Sequence, residues 1–502
     1  MPTGNKYTQW LASSQFFPSL LFILFGILNI LFAEKLPANE GLGWDGSRYA
    51  AIAHDLLKSQ VLDSYLVMRI FPCSLIHVLF KVFSIAFDSK NIILGFEIMN
   101  LICLATGIYY VKKIFSVAEI KPMNQFLGFT LLLINFAVLK FNFFYPVMTD
   151  APAFCAAVML LYFYLSNQTL NLMLISLIGA FTWPVIFYQG LILFVLPKKH
   201  SNFSPIPSTW RILISVSSAL FAAAIIYLFI LSKHADTSMA FTLKISTALL
   251  PFTLIAILVW YFFLPEALFN KSFFSKETIQ SLFSTRALIA FILFFFVSYF
   301  QQQLNISQKV STYYTLENFL INPLTYALVR PLITAIAHTT YFGCGIILIL
   351  IFWKRVSHTI ASFGLGITLA VLLNLYLIGI LTESRTIINL FPWMIIFLML
   401  AINSFSFPRD FYVLILILNF FVSKIWLRIG YDLSSGLDEF GTIAFPNQKF
   451  FMNIGPWITD QMWMIQGILF ILIFVIILFL VYKIQMKKMK FSLIPRYPEL
   501  KN

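Results

Sequence analysis

The sequence predicts an all-α membrane protein, a polytopic transmembrane helical bundle of about 13 or 14 spans. Of its 502 residues, 60% are hydrophobic and only 11% are charged, whereas soluble domains carry about 25% charged residues. Apolar windows of about 20 residues, the length that crosses a bilayer, recur between Phe17 and Tyr482. Other segments repeat polar side chains every three or four positions, which indicates amphipathic helices at the membrane surface.

The apolar windows predict one transmembrane domain, residues 1–482, followed by a short basic tail, residues 483–502. Only Lys6 precedes the first window and no small-residue cleavage site follows it, so we expect a retained first span rather than a removed signal peptide. The expected spans are 17–33, 91–111, 126–144, 152–166, 170–183, 184–197, 212–232, 246–264, 287–301, 332–353, 359–381, 386–404, 411–424 and 464–482.

The first long loop, residues 34–90, contains two amphipathic segments, and the second of them, 70–87, is apolar enough to be mistaken for a span. The polar residues of that segment and its end fall on one helical stripe, namely Ser74, His77, Lys81, Ser84 and Asp88. A helix with a single polar stripe lies in the membrane interface rather than across it. We therefore expect Leu75 and Val78 to contact lipid or the ends of the spans, while His77 and Lys81 face external water.

Keeping residues 70–87 in the interface separates the charges between the two sides of the membrane. One side then holds 19 of the 34 basic residues and only five of the 20 acidic residues. Lys and Arg near span ends mark the cytoplasm, so both termini are expected there, and the loop 34–90 is expected to be external. The net charge of +14 is thus explained by topology, and no nucleic-acid partner is expected. The abundance of Phe, Ile, Lys and Asn favours a bacterial inner membrane.

The sequence lacks the usual signs of a metal or nucleotide site. The four cysteines stand singly, and His54, His77, His234 and His338 show no metal-ligand spacing. There is neither an Asp-x-Asp motif nor a Gly-rich phosphate loop. We therefore expect no metal and no other cofactor, and any activated donor must arrive from within the membrane or from the external side.

Two aspartates at the expected external side each allow two interpretations. Asp45, just before the first amphipathic segment, is either a helix N-cap or a general base at the membrane surface. Asp150, between Pro146 and Pro152, either begins a helix or is a functional carboxylate, because an unpaired charge between apolar spans is costly. The spacing alone leaves both alternatives open.

Two arginines at the same side could bind an anion. Arg385 follows Glu383 at the external mouth of a span, where the two side chains form either a hydrated pair or a phosphate site. A guanidinium suits phosphate because its planar fork donates two parallel hydrogen bonds. Arg69 is a second candidate for a phosphate contact, and its alternative is a side chain that extends to the membrane surface.

Four motifs, in this order along the chain, resemble those of GT-C class glycosyltransferases, which are polytopic enzymes that use polyprenyl-phosphate-linked sugars. The first-loop motif is similar to the run Trp44–Ala53, and the other three are similar to Arg69–Pro72, Thr149–Ala151 and Glu383–Arg385, the last followed by Pro392. The order of the first span, long external loop, two spans and second acid also resembles this class. The resemblance covers most of the chain in architecture but only about twenty residues in motif.

The resemblance implies an inverting transfer from a polyprenyl-phosphate-linked sugar, as in a mannosyltransferase, to a hydroxyl of a glycan or lipid acceptor. It implies that Asp45 is the catalytic base. Arg385 and Arg69 would stabilise the polyprenyl phosphate that leaves.

The remaining roles follow from the same resemblance. Asp150 would orient the sugar or the acceptor beside the catalytic base, and Glu383 would fix Arg385. Arg48 and Tyr49, within the first motif, complete the expected substrate-binding set.

Other functions stay open from the sequence. The chain lacks the Trp-Trp-Asp-Tyr-Gly motif and the large soluble domain of oligosaccharyltransferases, so the metal of that branch is not expected. A transporter or lipid flippase would place broken helices and charges near the membrane midplane, but here only Glu97 falls inside an expected span. A noncatalytic scaffold would not need acids and an arginine on one face. A polymerase or ligase of surface polysaccharide would favour a longer late loop.

Overall fold

The computed structural model describes residues 14–58, 62–196, 275–305, 332–377, 383–405, 407–426 and 460–488, with five positions between 209 and 220. Within these ranges the regular structure is helical, without strands, which confirms the all-α prediction. The α-helices used below are α1 (Phe17–Phe32), α2 (Trp44–Asp55), α3 (Ser64–Val67), α4 (Ile70–Val82), α5 (Ser89–Val117), α6 (Pro122–Leu133), α7 (Asp150–Leu165), α8 (Thr169–Ala180), α9 (Pro184–Val195), α10 (Lys276–Leu282), α11 (Thr285–Leu304), α12 (Ile333–Phe342), α13 (Cys344–Ile351), α14 (Trp353–Ser362), α15 (Leu365–Leu377), α16 (Phe391–Ile402), α17 (Arg409–Ser423) and α18 (Asp460–Lys488).

Helices that are long and apolar enough to cross a membrane are present in the described part of the chain, as expected for an integral membrane protein. Three qualify singly: Ser89–Val117, Lys276–Leu304 and Trp463–Ile484. Two bent pairs qualify when each is taken as one span. The expected span 246–264 lies outside the described residues, as do all but four positions of the expected span 212–232 and most of the basic tail.

Two expected spans, 170–183 and 184–197, correspond to helices that are too short to cross a bilayer as single straight rods. Helices α8 and α9 have 12 residues each, or about 18 Å at 1.5 Å per residue. A hydrocarbon core is about 30 Å thick. The expected boundary is nevertheless present, because Pro184 occupies the first turn of α9, where its missing N–H leaves no helical bond unmade.

Two other expected spans, 332–353 and 359–381, are interrupted at glycines. Gly343 separates α12 from α13 with a φ of 77°, and Gly364 precedes α15 with a φ of 96°. Side chains with a Cβ rarely adopt these left-handed conformations, so a helix ends readily at either glycine. Within 332–353, α14 also bends away from α13 by 79°. The span expected at 359–381 is interrupted where α14 ends at Ser362 and α15 begins at Leu365.

A buried asparagine of α17 binds the backbone at two helix breaks. The amide nitrogen of Asn419 donates to the carbonyl oxygens of Thr130 and Ile134, where α6 ends before the bent segment Ala137–Phe144. Its amide oxygen accepts the N–H of Cys344 at 2.8 Å, the first residue after the Gly343 break. Backbone groups at membrane depth need such partners, because lipid offers none.

The two ends of the bundle carry different side chains. At one end, called here the basic end, the N–H of Lys121 donates to the Oδ1 of Asn403 at 2.9 Å, and Arg355 lies 4.3 Å above the Phe405 ring. At the other, the loop end, the Leu36 N–H donates to the Phe144 carbonyl at 3.0 Å. The loop 34–58 therefore folds onto the loop end of the bundle, opposite the basic end.

Helix α4 has an inward face that the sequence pattern did not separate from its polar stripe. Leu75 and Val78 are 40% and 52% exposed, which agrees with the expected lipid-facing side. His77, expected in external water, instead has its Nδ1 2.8 Å from the Ala53 carbonyl oxygen of α2. The residues of the polar stripe therefore have different surroundings, since His77 links α4 to α2 while Lys81 is exposed.

We predict that Asn419→Ala lowers the stability of the protein in detergent micelles more than Ile417→Ala, a control on the exposed side of the same helix. The substitution leaves buried backbone groups at both breaks without a partner, and each such group costs about 1–3 kcal/mol. The two apparent thermal unfolding midpoints provide the comparison. Equal midpoints would show that Asn419 does not support the breaks.

Candidate functional site

Arg385 lies at the centre of a group of charges at the loop end. It belongs to a short 3-10 helix, Ser384–Ile387, that leads into α16. Its Nη2 donates to the Oδ2 of Asp45 at 3.0 Å, and its Nε donates to the Oε1 of Glu383 at 2.6 Å. The third nitrogen, Nη1, lies 3.7 Å from the Met148 sulfur. The structure thus brings together an acid and a cation that are 340 positions apart in the sequence.

Asp45 is not the N-cap of its helix. The N-cap of α2 is Gly43, and no side chain caps this end. Two other aspartates of the same loop do cap: Asp63 accepts the Leu66 N–H, and Asp88 accepts the Asn91 N–H. The structure therefore excludes the capping interpretation for Asp45. Its Oδ2 binds Arg385, while the described residues provide no hydrogen bond to its Oδ1.

The carboxylate of Asp150 is buried and makes no hydrogen bond. Asp150 is the first residue of α7, after Thr149 at the N-cap position, and its side chain caps nothing. Only 1% of the residue is exposed, and both carboxylate oxygens lack a hydrogen-bond partner. Buried carboxylates are normally bonded, so this one is suited to accept hydrogen bonds from a bound molecule.

Burial also changes the protonation of Asp150, which stands in the hinge 145–151 ahead of the apolar stretch. Burial raises the pKa of its carboxyl to about 6, against an ordinary value of 3.8. The Arg385 guanidinium lowers this pKa and the Glu383 carboxylate raises it. Burial alone would lower the pKa of Arg385, but Glu383 and Asp150 outweigh burial and raise it.

Tyr145 fixes the start of α2 and so positions Asp45. Its hydroxyl accepts the Gly46 N–H at 3.1 Å, and its ring lies edge-on to Trp44 with centroids 6.4 Å apart. Gly43 has a φ of 70°, and a Cβ there would overlap the Tyr145 ring. Burial is the main cause that raises the pKa of Tyr145 to about 12. Sequence reasoning missed this residue, although an aromatic residue beside Pro146 in the hinge was a visible signal.

Arg69 and Tyr49 line one side of this group of charges. The guanidinium of Arg69 lies 3.9 Å above the Tyr65 ring and 5.2 Å from the Trp183 ring, a stacking that holds it in place. It is near enough to Asp150 to lower that carboxyl's pKa. Tyr49 is buried, with its hydroxyl 3.5 Å from the Tyr65 hydroxyl. Arg69 is therefore a second fixed cation near the buried acid.

Arg48 forms an ion pair within the first loop. Its Nη2 donates to the Oδ2 of Asp63 at 2.6 Å, and Asp63 also caps α3. This pair ties α2 to α3 within the loop, and the substrate-binding role expected for Arg48 stays a prediction.

His338 is a further residue of the site that sequence reasoning did not select. It is buried in α12, with its Nδ1 3.0 Å from the Ser384 Oγ, between Glu383 and Arg385 in sequence. The contact attaches the Arg385 turn to α12. In the described residues, no three His, Cys, Asp or Glu side chains are grouped as metal ligands would be.

Comparisons with known proteins identified no similar protein. No family model matches the chain, and neither a curated protein nor a solved structure shows significant similarity to it.

We predict that Asp150→Asn removes a pH dependence of stability. The folded pKa of Asp150 is raised to about 6 from 3.8, so its neutral form favours folding at low pH. That contribution is fully present below pH 3.8 and is lost as the pH rises through 6. The free energy of unfolding of the wild type should therefore fall by about 2–3 kcal/mol relative to Asp150→Asn over this interval. Unfolding titrations in mixed micelles would measure it, and parallel pH profiles would contradict it.

Proposed function

We propose that the chain is a membrane glycosyltransferase of the GT-C type. It transfers a sugar from a polyprenyl-phosphate donor to an acceptor hydroxyl, with inversion and with Asp45 as the base. The observation that carries this proposal is the contact between Asp45 and Arg385 at 3.0 Å. A base for the acceptor and a cation for the leaving phosphate must lie within one sugar's length of each other, and this pair satisfies that requirement.

The chemistry is a single displacement at the anomeric carbon. The acceptor oxygen forms a bond to this carbon while the bond to the phosphate oxygen breaks, and its electron pair leaves with the polyprenyl phosphate. Asp45 takes the proton of the acceptor hydroxyl. Arg385 binds the negative charge that grows on the leaving phosphate, which lowers the barrier only if the guanidinium is already in place. Attack opposite the leaving group inverts the configuration.

Asp150 and Arg69 recognise the rest of the donor in this scheme. The buried carboxylate of Asp150 has no partner, so sugar hydroxyls can donate hydrogen bonds to it. Arg69, held between two aromatic rings, offers a second positive charge. Glu383 binds the Nε of Arg385, so the phosphate would bind through the two terminal nitrogens, one of which contacts Asp45 in the structure.

The distribution of basic residues supports a site on the external side of the membrane. Lys121, just before α6, and Arg355, in α14, lie at the basic end, and such residues mark the cytoplasmic side. The charged site lies at the loop end, where a polyprenyl phosphate can present its headgroup while its chain stays in the bilayer. The acceptor is then a glycan or lipid on that face, as it would also be for a surface polysaccharide polymerase or ligase.

A lipid transporter or flippase is the second candidate, and one observation favours it. Two spans are broken in their course, and Lys424, which is 7% exposed, donates to the Gln466 Oε1 at 2.9 Å. Broken helices with interior charges are typical of transport sites. A flippase, however, has no need for an unbonded carboxylate oxygen on Asp45 beside a phosphate-binding arginine.

We predict that Asp45→Asn lowers the rate of sugar transfer by about a hundredfold to ten-thousandfold, because the variant has no base. The matched control is Asp55→Asn, an exposed aspartate at the other end of the same helix, which should keep its rate. Purified protein in liposomes would be given radiolabelled polyprenyl-phosphate hexoses, mannose and glucose among them, with envelope glycolipids as acceptors.

The outcomes separate the two candidates. Transfer by the wild type that is lost only in Asp45→Asn supports the glycosyltransferase. A fully active Asp45→Asn variant would reject Asp45 as the base. Absence of transfer with every donor, together with movement of the lipid phosphate between leaflets, would favour the flippase.

A further inference from the structure

The proposed base and the proposed phosphate ligand are bonded to each other in the structure. Each nitrogen of the Arg385 guanidinium has a contact: Nε with Glu383, Nη2 with Asp45 and Nη1 with the Met148 sulfur. A phosphate that binds the fork through two parallel hydrogen bonds needs donors from adjacent nitrogens. Asp45 therefore occupies a donor that the phosphate would use.

The charge balance makes addition of a phosphate without exchange unfavourable. Three acidic side chains, Asp45, Asp150 and Glu383, face Arg385, with Arg69 as the second cation close by. Another anion in a site that already holds more acids than cations meets like-charge repulsion, which is strong where water is excluded. An incoming phosphate is accommodated best if one carboxylate moves away.

We propose that the phosphate of the donor binds Arg385 by displacing Asp45, so that donor binding itself releases the base. This inference rests on the proposed function. The free enzyme then holds Asp45 as an ion pair. After the exchange, the phosphate takes the Nη2 donor and Asp45 turns to the acceptor hydroxyl, so the donor binds before the acceptor is activated.

Asp45 is the partner best placed to move. Glu383 lies two residues from Arg385 in the same turn, whereas Asp45 stands on a different helix and its side chain is 34% exposed. Its Oδ1 has no hydrogen bond from the described residues, so only one contact holds the carboxylate. The backbone around it stays fixed, because the Tyr145 hydroxyl binds the Gly46 N–H. A rotation of the Asp45 side chain therefore suffices.

The exchange couples activation of the acceptor to the presence of the donor. Before a phosphate binds, the Asp45 Oδ2 is bonded to the Arg385 Nη2. Once the phosphate has taken that donor, the carboxylate can turn to the acceptor hydroxyl beside the bound sugar.

The test measures binding of a phosphate lipid that carries no sugar, so that transfer does not interfere. Radiolabelled farnesyl phosphate would be titrated against the full-length protein in detergent, for the wild type, Asp45→Asn, Arg385→Ala and the control Asp55→Asn. Asp45→Asn should bind about two- to fivefold more tightly than the wild type, the factor expected from losing one partly exposed ion pair. Arg385→Ala should bind more weakly, and Asp55→Asn should match the wild type.

Two further ligands identify what is recognised. Farnesol, which lacks the phosphate, should bind the wild type and Asp45→Asn equally, and inorganic phosphate should show the same tightening as farnesyl phosphate at lower affinity. Tightening with farnesol would overturn the proposal, because the competition would then not involve an anion.

The failure of this inference is distinct from the failure of the proposed function. If binding depends on Arg385 but Asp45→Asn leaves the affinity unchanged or weaker, the exchange is wrong and the phosphate site stands. If Arg385→Ala binds farnesyl phosphate as well as the wild type, neither the exchange nor the proposed phosphate site survives.

Discussion

The interaction on which the site depends is the neutralisation of one arginine at the end of an apolar bundle. The side chain of Arg385 is 19% exposed, and a charge so placed needs close partners because its hydration is largely lost. The chain supplies them from two directions, Glu383 from the same turn and Asp45 from the first loop. Because Arg385 needs an anionic partner, the first loop packs on the bundle end and the Asp45 carboxylate lies against the guanidinium.

The same site contains a buried acid, Asp150, and neither of its carboxylate oxygens has a hydrogen-bond partner. Such a group destabilises the empty protein and is retained where a ligand completes it. The proposed donor would meet both groups, because its phosphate would bind the arginine and its sugar hydroxyls would donate to the acid.

Part of this could be predicted from the sequence, because charges in apolar chains are costly and therefore few. Asp45, Asp150 and Arg385 could be selected on that ground. Their partners could not: whether Asp45 caps its helix depends on the backbone at Gly43, and the roles of Tyr145 and Asn419 depend on contacts between distant segments. Span lengths also failed, since hydropathy does not show that α8 and α9 end after 12 residues. The contact of His77 with the Ala53 carbonyl could not be predicted either, because a polar stripe does not reveal a neighbouring carbonyl.

The measurement that tests the central claim most directly is an experimental structure of the protein in a lipid nanodisc with a polyprenyl phosphate bound. The account predicts phosphate oxygens within hydrogen-bond distance of Arg385, with the Asp45 carboxylate moved from its 3.0 Å contact to beyond about 4 Å, the limit of an ion pair. A phosphate bound elsewhere, with Asp45 and Arg385 still paired, would contradict it.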